Sequence, residues 1–145
     1  KICGLNCYTG EDMRKNILTF LFLIAFSGSV VADTVTGIFQ TERNDTGAFL
    51  EVKFAPCEND QNLSCAKILK AYKSKNEINE SYEHLGKIIV AGMEDAGEGK
   101  FKGGTIWDPS EDKTYNSKMT IRGKDISVEG CILFFCKAQL WERVE

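Results

Sequence analysis

The stretch Gly103–Tyr115, GGTIWDPSEDKTY, decides how this sequence folds. Thr105, Ile106 and Trp107 favour a pleated strand, and the two glycines ahead of them let another backbone approach closely. Asp108-Pro109 ends that strand, because proline has no N–H for a ladder and presets a turn dihedral. Ser110, Glu111 and Asp112 are turn residues, and Lys113-Thr114-Tyr115 begins a second strand. The stretch predicts a β-hairpin corner, and the rest of the chain must close against it.

Towards the C-terminus, residues 114–122 alternate Tyr115, Ser117, Met119 and Ile121 against polar neighbours. Gly123-Lys124-Asp125 turns the chain, residues 126–130 alternate again, and residues 133–144 read as a last strand. Towards the N-terminus, residues 94–100 (EDAGEGK) form a glycine-rich hairpin turn, and Ile88-Ile89-Val90 mark a β-branched strand. Residues 73–83 (KSKNEINESYE) are charged and aperiodic, which predicts a long exposed loop. Residues 64–72 and 48–55 read as strands, the second with Leu50, Val52 and Phe54 on its apolar face and Phe49 on the wet one. Residues 33–39 (DTVTGIF) supply a short first strand. About eight short strands with mostly hairpin-length links predict an all-β fold. Eight twisted strands in a meander remove their edges by closing, so the expected architecture is a small antiparallel up-and-down barrel.

The 145 residues hold less than that length of domain. Residues 1–12 precede Met13 and read as an upstream leader. Residues 13–32 have the three regions of a secretory signal peptide: a basic start at Arg14-Lys15, the apolar run ILTFLFLIAF, and small residues with Val30 and Ala32 at the cleavage positions. Ten strongly apolar residues are too few for a bilayer about 30 Å thick. The expectation is an N-terminal signal helix, cleavage before Asp33, and a barrel domain over 33–145 in the periplasm or outside the cell, with no membrane anchor after cleavage. That domain carries 15 basic and 19 acidic side chains. The acidic balance argues against nucleic acid, which needs a basic patch.

Export makes disulfides the default for Cys57, Cys65, Cys131 and Cys136. Four cysteines allow three connectivities, and the spacing favours the local pairs Cys57–Cys65 and Cys131–Cys136. Close Cys-x2-Cys pairs of the zinc type are absent, so no metal is expected.

Several residues together resemble a known family: Gly103-Gly104-x-Ile106-Trp107-Asp108-Pro109, Lys113-Thr114-Tyr115, Gly130-Cys131, Cys136, and the ending Gln139-x-Trp141-x-Arg143-Val144. The chain resembles the bacterial secreted family called domain of unknown function 2147, over roughly residues 37–144. The resemblance implies a lipocalin-like, calycin-type barrel with no assigned activity. It also implies a barrel closure in which an arginine near the end of the last strand packs across an aromatic ring on the first. Gly37 and Phe39 would supply the first element, with Phe39 standing where such barrels carry tryptophan, and Trp141 and Arg143 the second.

An eight-strand barrel is either packed solid or wide enough for one small ligand. The candidates to line such a cavity are Met93, Phe101, Trp107, Tyr115, Met119 and Phe134, since methionine and aromatics suit a plastic apolar pocket. The primary expectation is a non-enzymatic binder of a small apolar or amphipathic molecule, without cofactor, monomeric or weakly dimeric. The alternative is an envelope-associated interaction domain with a solid core. A hydrolase built on Asp108, Glu111 and Asp112 is the weakest reading, because turn chemistry already explains those residues. His84 is the one histidine and sits in a polar loop, where solvation explains it.

Overall fold

The computed structural model describes residues 32–145; the stretch expected to hold a leader and a signal peptide lies, up to residue 31, outside the described residues. Among the described residues there are nine strands and no helix. They are β1 Gly37–Gln40, β2 Phe49–Pro56, β3 Leu63–Ser74, β4 Glu77–Ile78, β5 Ile88–Asp95, β6 Lys100–Asp108, β7 Lys113–Arg122, β8 Asp125–Ile132 and β9 Phe135–Arg143. All pairings are antiparallel. The sheet runs β2-β1-β9-β8-β7-β6-β5-β3-β4, and a further β2–β3 pairing closes eight of the strands into a barrel. The two-residue β4 is a flap on β3, outside the ring.

The links alternate between two ends. Residues 57–62, 96–99 and 123–124 lie at the base, which the segment before β1 crosses. Val35 N–H donates to Ser64 Oγ (2.9 Å) and Asp33 N–H to Asp95 Oδ2 (3.1 Å). Those bonds are why β1 starts at Gly37 and not at Asp33. The links 41–48, 79–87, 109–112 and 133–134 lie at the other end, the mouth.

Three further details differ from the sequence reading. The run 133–144 is not one strand: Leu133-Phe134 is a two-residue turn, and β8 and β9 pair on either side of it. The aperiodic stretch 73–83 starts inside β3, pairs back through Glu77 and Ile78, and only then becomes loop. Phe49 is buried rather than wet. It stacks on Tyr72 (4.4 Å, 8°) on the outer wall, and the Arg43 guanidinium covers it at 4.7 Å.

Inside, one cluster joins Phe39, Val52, Phe54, Ala66, Ile68, Val90, Met93, Phe101, Met119, Ile126, Val128 and Trp141, each at most 2% exposed. Burying a side chain of this kind stabilises by roughly 1.5–3 kcal/mol before entropy is counted. Phe39, Phe54 and Trp141 meet at tilted or edge angles, 5.5 and 6.2 Å between centroids, as aromatic quadrupoles prefer.

Candidate functional site

The barrel interior is the first place to look for a site, and its lower part is packed with the protein's own side chains. Met93, Phe101 and Met119 lie inside the core cluster. Above them, three small residues sit in register across three strands: Gly104 opposite Ser117, and Ser117 opposite Gly130. Larger neighbours occupy the room they leave. A Cβ on Gly104 would lie 2.4 Å from Met93 Sδ and 2.4 Å from the Ala91 carbonyl oxygen. A Cβ on Gly130 would lie 3.3 Å from Ile106 Cγ2 and 3.7 Å from Tyr115 Cβ. The Ser117 hydroxyl, buried in this row, has no hydrogen-bond partner.

The other cavity candidates separate. Tyr115 is half-buried at the mouth and donates its hydroxyl to Glu111 Oε2 (2.8 Å). Trp107 falls on the outer side of its strand, although it still packs against the core cluster. Ile106 pairs with Tyr115 and Trp107 with Thr114, so consecutive residues fall on opposite faces, and Ile106 holds the inner one. The Trp107 indole lies against the His84 ring (5.0 Å, 79°) and under Lys87 Nζ (5.4 Å), and donates to Asp112 Oδ1 (3.0 Å). Phe134 lines nothing inside, being 96% exposed at the tip of the β8–β9 turn. Ile106 and the two glycines at 104 and 130 are the residues that shape the upper interior, and alternation from the hairpin corner did not single them out.

At the base, the Arg143 guanidinium lies 4.5 Å above the Phe39 ring. Its N–H groups donate to the backbone oxygens of Thr36 (2.9 Å), Lys124 (3.2 Å) and Glu145 (3.2 Å). The planar fork reaches three chain segments at once with pre-organised donors, an arrangement that the compact ammonium of a lysine does not reproduce. Gly37 makes room for it, since a Cβ there would lie 2.1 Å from Arg143 Nη1. A crevice of about 180 Å³ opens beside this closure, between Asp33, Val35, Ile121, Lys124 and Asp125.

The acidic turn is held by its own bonds. Asp108 Oδ1 accepts from the Ser110 hydroxyl and backbone, and Glu111 Oε2 from Tyr115 and Lys113. Burial pushes the Asp108 carboxyl up, but the Ser110 bonds, the Glu111 amide and the Lys113 charge together outweigh it and leave the group below its ordinary range. Tyr115, then Lys113, hold Glu111 down as well. Both shifts run opposite to the one a general acid needs. His84 packs edge-on against Tyr82 and Trp107, with Lys87 Nζ 2.9 Å from Nδ1.

The cysteines form Cys57–Cys65, across the base of the β2–β3 hairpin, and Cys131–Cys136, next to the β8–β9 turn. Glu129 lies beside the second pair, but both sulfurs are bonded to each other and offer no thiolate to a metal. A groove of about 360 Å³ runs between this disulfide, Leu133, Phe134, Lys102 and Lys118, with Gly104 and Ser117 also in its lining.

An eight-strand antiparallel barrel, shut at one end by an arginine over an aromatic ring, is a lipocalin-like barrel. The chain belongs to the family described as "Uncharacterized protein conserved in bacteria (DUF2147)", which it matches over residues 37–143. Among solved structures it is similar to protein HP1028 from the human pathogen Helicobacter pylori, described as belonging to the lipocalin family. That match has 16% identity and a TM-score of 0.57, over 76% of this chain and 82% of that one. At that identity the likeness concerns the fold. No curated protein matches the sequence.

Proposed function

We propose that this protein is an exported, solid-cored lipocalin-like barrel that acts through its surface, as an interaction domain of the bacterial envelope. One observation carries the reading. The interior positions that would line a ligand cavity are taken by the protein's own side chains, with Met93 set against Gly104 and Ile106 and Tyr115 against Gly130. Two disulfides are consistent with an oxidising compartment, the periplasm or the exterior. The outside offers what the inside lacks: Ile132, Leu133, Phe134 and Phe135 are 60–96% exposed in one turn. Contiguous exposed apolar surface of this kind marks interaction sites.

The test is native mass spectrometry of the purified protein, followed by thermal shift against fatty acids, phospholipids and hydrophobic metabolites. The expected result is a mass with no bound small molecule and no saturable shift. A stoichiometric co-purifying ligand, or a saturable rise in Tm, would restore the small-molecule reading.

A further inference from the structure

The barrel closes fully only at its base. β1 is four residues long and pairs with β9 at two positions, Phe39↔Arg143 and Gln40↔Glu142. Beyond Gln40 the pairing of β1 with β9 ends, while Thr41, at the phase that faces β2, still donates its N–H to the Leu50 carbonyl (2.9 Å). The upper part of β9, from Phe135 to Leu140, therefore pairs with β8 on one side. On its other side no hydrogen-bond partner occurs among the described residues.

Which backbone groups point to that open side follows from the ladder. Cys131 and Cys136 are opposite each other with Cα atoms 4.0 Å apart, the close spacing of a pair that exchanges no ladder bonds. Cys136 thus turns its N–H and C=O away from β8, and so do Ala138 and Leu140 at the same phase. Val144 N–H, two steps further along that phase, confirms the direction by donating to the Ile38 carbonyl on the β1 side (2.9 Å). Three donors and three acceptors form an unpaired strand edge. The side chains at these positions, Cys136, Ala138 and Leu140, are uncharged and exposed on the outer wall.

We propose that this edge is a homodimer interface, in which β9 of one copy pairs antiparallel with β9 of a second copy. The edge is self-complementary about Ala138. In that register Ala138 faces its own counterpart, Cys136 faces Leu140, and Lys137 faces Gln139, so all six edge groups pair. The single lysine is set against a neutral amide; a register centred on Lys137 would oppose two ammonium groups, which disfavours it. The two sheets become continuous, and the exposed Leu140 packs across the join.

Sedimentation of the purified protein over a concentration series, with the Ala138→Pro variant beside it, tests this. Proline at 138 deletes an N–H that points to the open side, so the barrel keeps its ladder and the edge is blocked. The dimer is expected in the parent, with its dissociation constant raised at least about 100-fold in Ala138→Pro. Near-UV circular dichroism of the variant is expected to match the parent. Backbone amide exchange gives a second readout: the amides of Cys136, Ala138 and Leu140 become protected as concentration rises through the transition. A monomer at every concentration overturns the proposal, as does a dimer that survives Ala138→Pro. Protection of the three amides in the monomer also overturns it, since the edge is then covered by the chain itself. If Ala138→Pro loses its near-UV signal, the amide readout on the parent decides alone.

Discussion

Replacing Gly104 by alanine measures directly whether the upper barrel is full. No positive φ constrains this glycine, so its backbone accepts an L-residue and the cost is spatial. The added methyl would meet the Ala91 carbonyl oxygen and Met93 Sδ at 2.4 Å each, and the Gly92 carbonyl carbon at 2.9 Å. Two of those three atoms belong to the backbone of β5, which cannot swing aside as a side-chain tip can. Overpacking commonly costs about 1–3 kcal/mol, and a backbone obstacle puts this site at the upper end, about 3 kcal/mol. For a domain of this size that lowers Tm by roughly 10 °C. The matched control is Gly92→Ala, one strand away. There a methyl has nothing within 4 Å, but φ is +69°, so the cost is conformational, about 1–2 kcal/mol. Urea unfolding with disulfides intact would rank the two. Adding Met93→Ala to Gly104→Ala removes one of the three close contacts, so the double variant should be at least about 1 kcal/mol more stable than additivity allows. A Gly104→Ala barrel within about 0.5 kcal/mol of the parent would refute the packing argument, because surface-like tolerance means spare room. It would also remove the observation on which the solid-core reading stands.

Leu133 has φ +53° at the first position of the β8–β9 turn, where a bulky L-residue is strained. Leu133→Gly should therefore raise stability by about 1 kcal/mol in urea unfolding, and a loss would contradict the turn geometry. Arg143→Ala should cost about 2 kcal/mol, since it removes three bonds to carbonyls and the cover over Phe39. Two of the three partners, Thr36 and Lys124, are peptide carbonyls, so 1 M salt should leave most of that difference in place, and a difference that vanishes in salt would point to an ion pair instead. The carboxyls of Asp95, held by the Gly97 and Asp33 amides, of Glu58, held by Lys67, and of Glu111 all lie below their ordinary values. Their stabilisation is present above the unfolded carboxyl range, about pH 4, and is lost as pH falls through the lower folded values. Tyr72 and Tyr82, raised by burial, and Tyr115, raised by its bond to Glu111, work in the opposite sense. Their contribution is present below about pH 10 and is lost as pH rises through the higher folded values. Tm should plateau between these limits and fall on both sides; a flat profile from pH 5 down to pH 2 would contradict the carboxylate assignments.

The hairpin corner was legible because its signals are local: Asp108-Pro109 stops one strand, and the alternation after Lys113 starts another. The strand count and the two disulfides followed from the same kind of evidence. Which face a residue occupies was less legible, and β6 shows the reason. Phe101 pairs with Met119 and Gly104 with Ser117, so three steps on β6 match two on β7. This extra residue flips the side-chain phase within the strand. Phe101 and Trp107 share one parity in the sequence, so plain alternation puts both inside; the bulge keeps Phe101 in and turns Trp107 out. The same happens on β3, where Glu51 pairs with Lys70 and Val52 with Ile68. Ile68 and Ala71 both end up inside, and Tyr72 meets Phe49 on the outer wall. A bulge is set by contact between strands far apart in the chain, and glycine is its faint local trace.

The openness of the β9 edge lies further still from what local pattern reports. Nothing within residues 135–140 says whether a neighbour lies alongside them. That is decided about 100 residues earlier, where β1 and its pairing with β9 end at Gln40. Had β1 continued for four more residues, it would have sealed the barrel from base to mouth and left Ala138 paired within its own chain. The short first strand therefore links the two surface readings. It leaves an edge with unspent hydrogen-bonding capacity beside an apolar turn that a monomer has no reason to expose. Lengthening that strand by redesign of residues 41–44 is the change that should abolish self-pairing while leaving Ile132–Phe135 as exposed as before, separating the role of the edge from that of the tip.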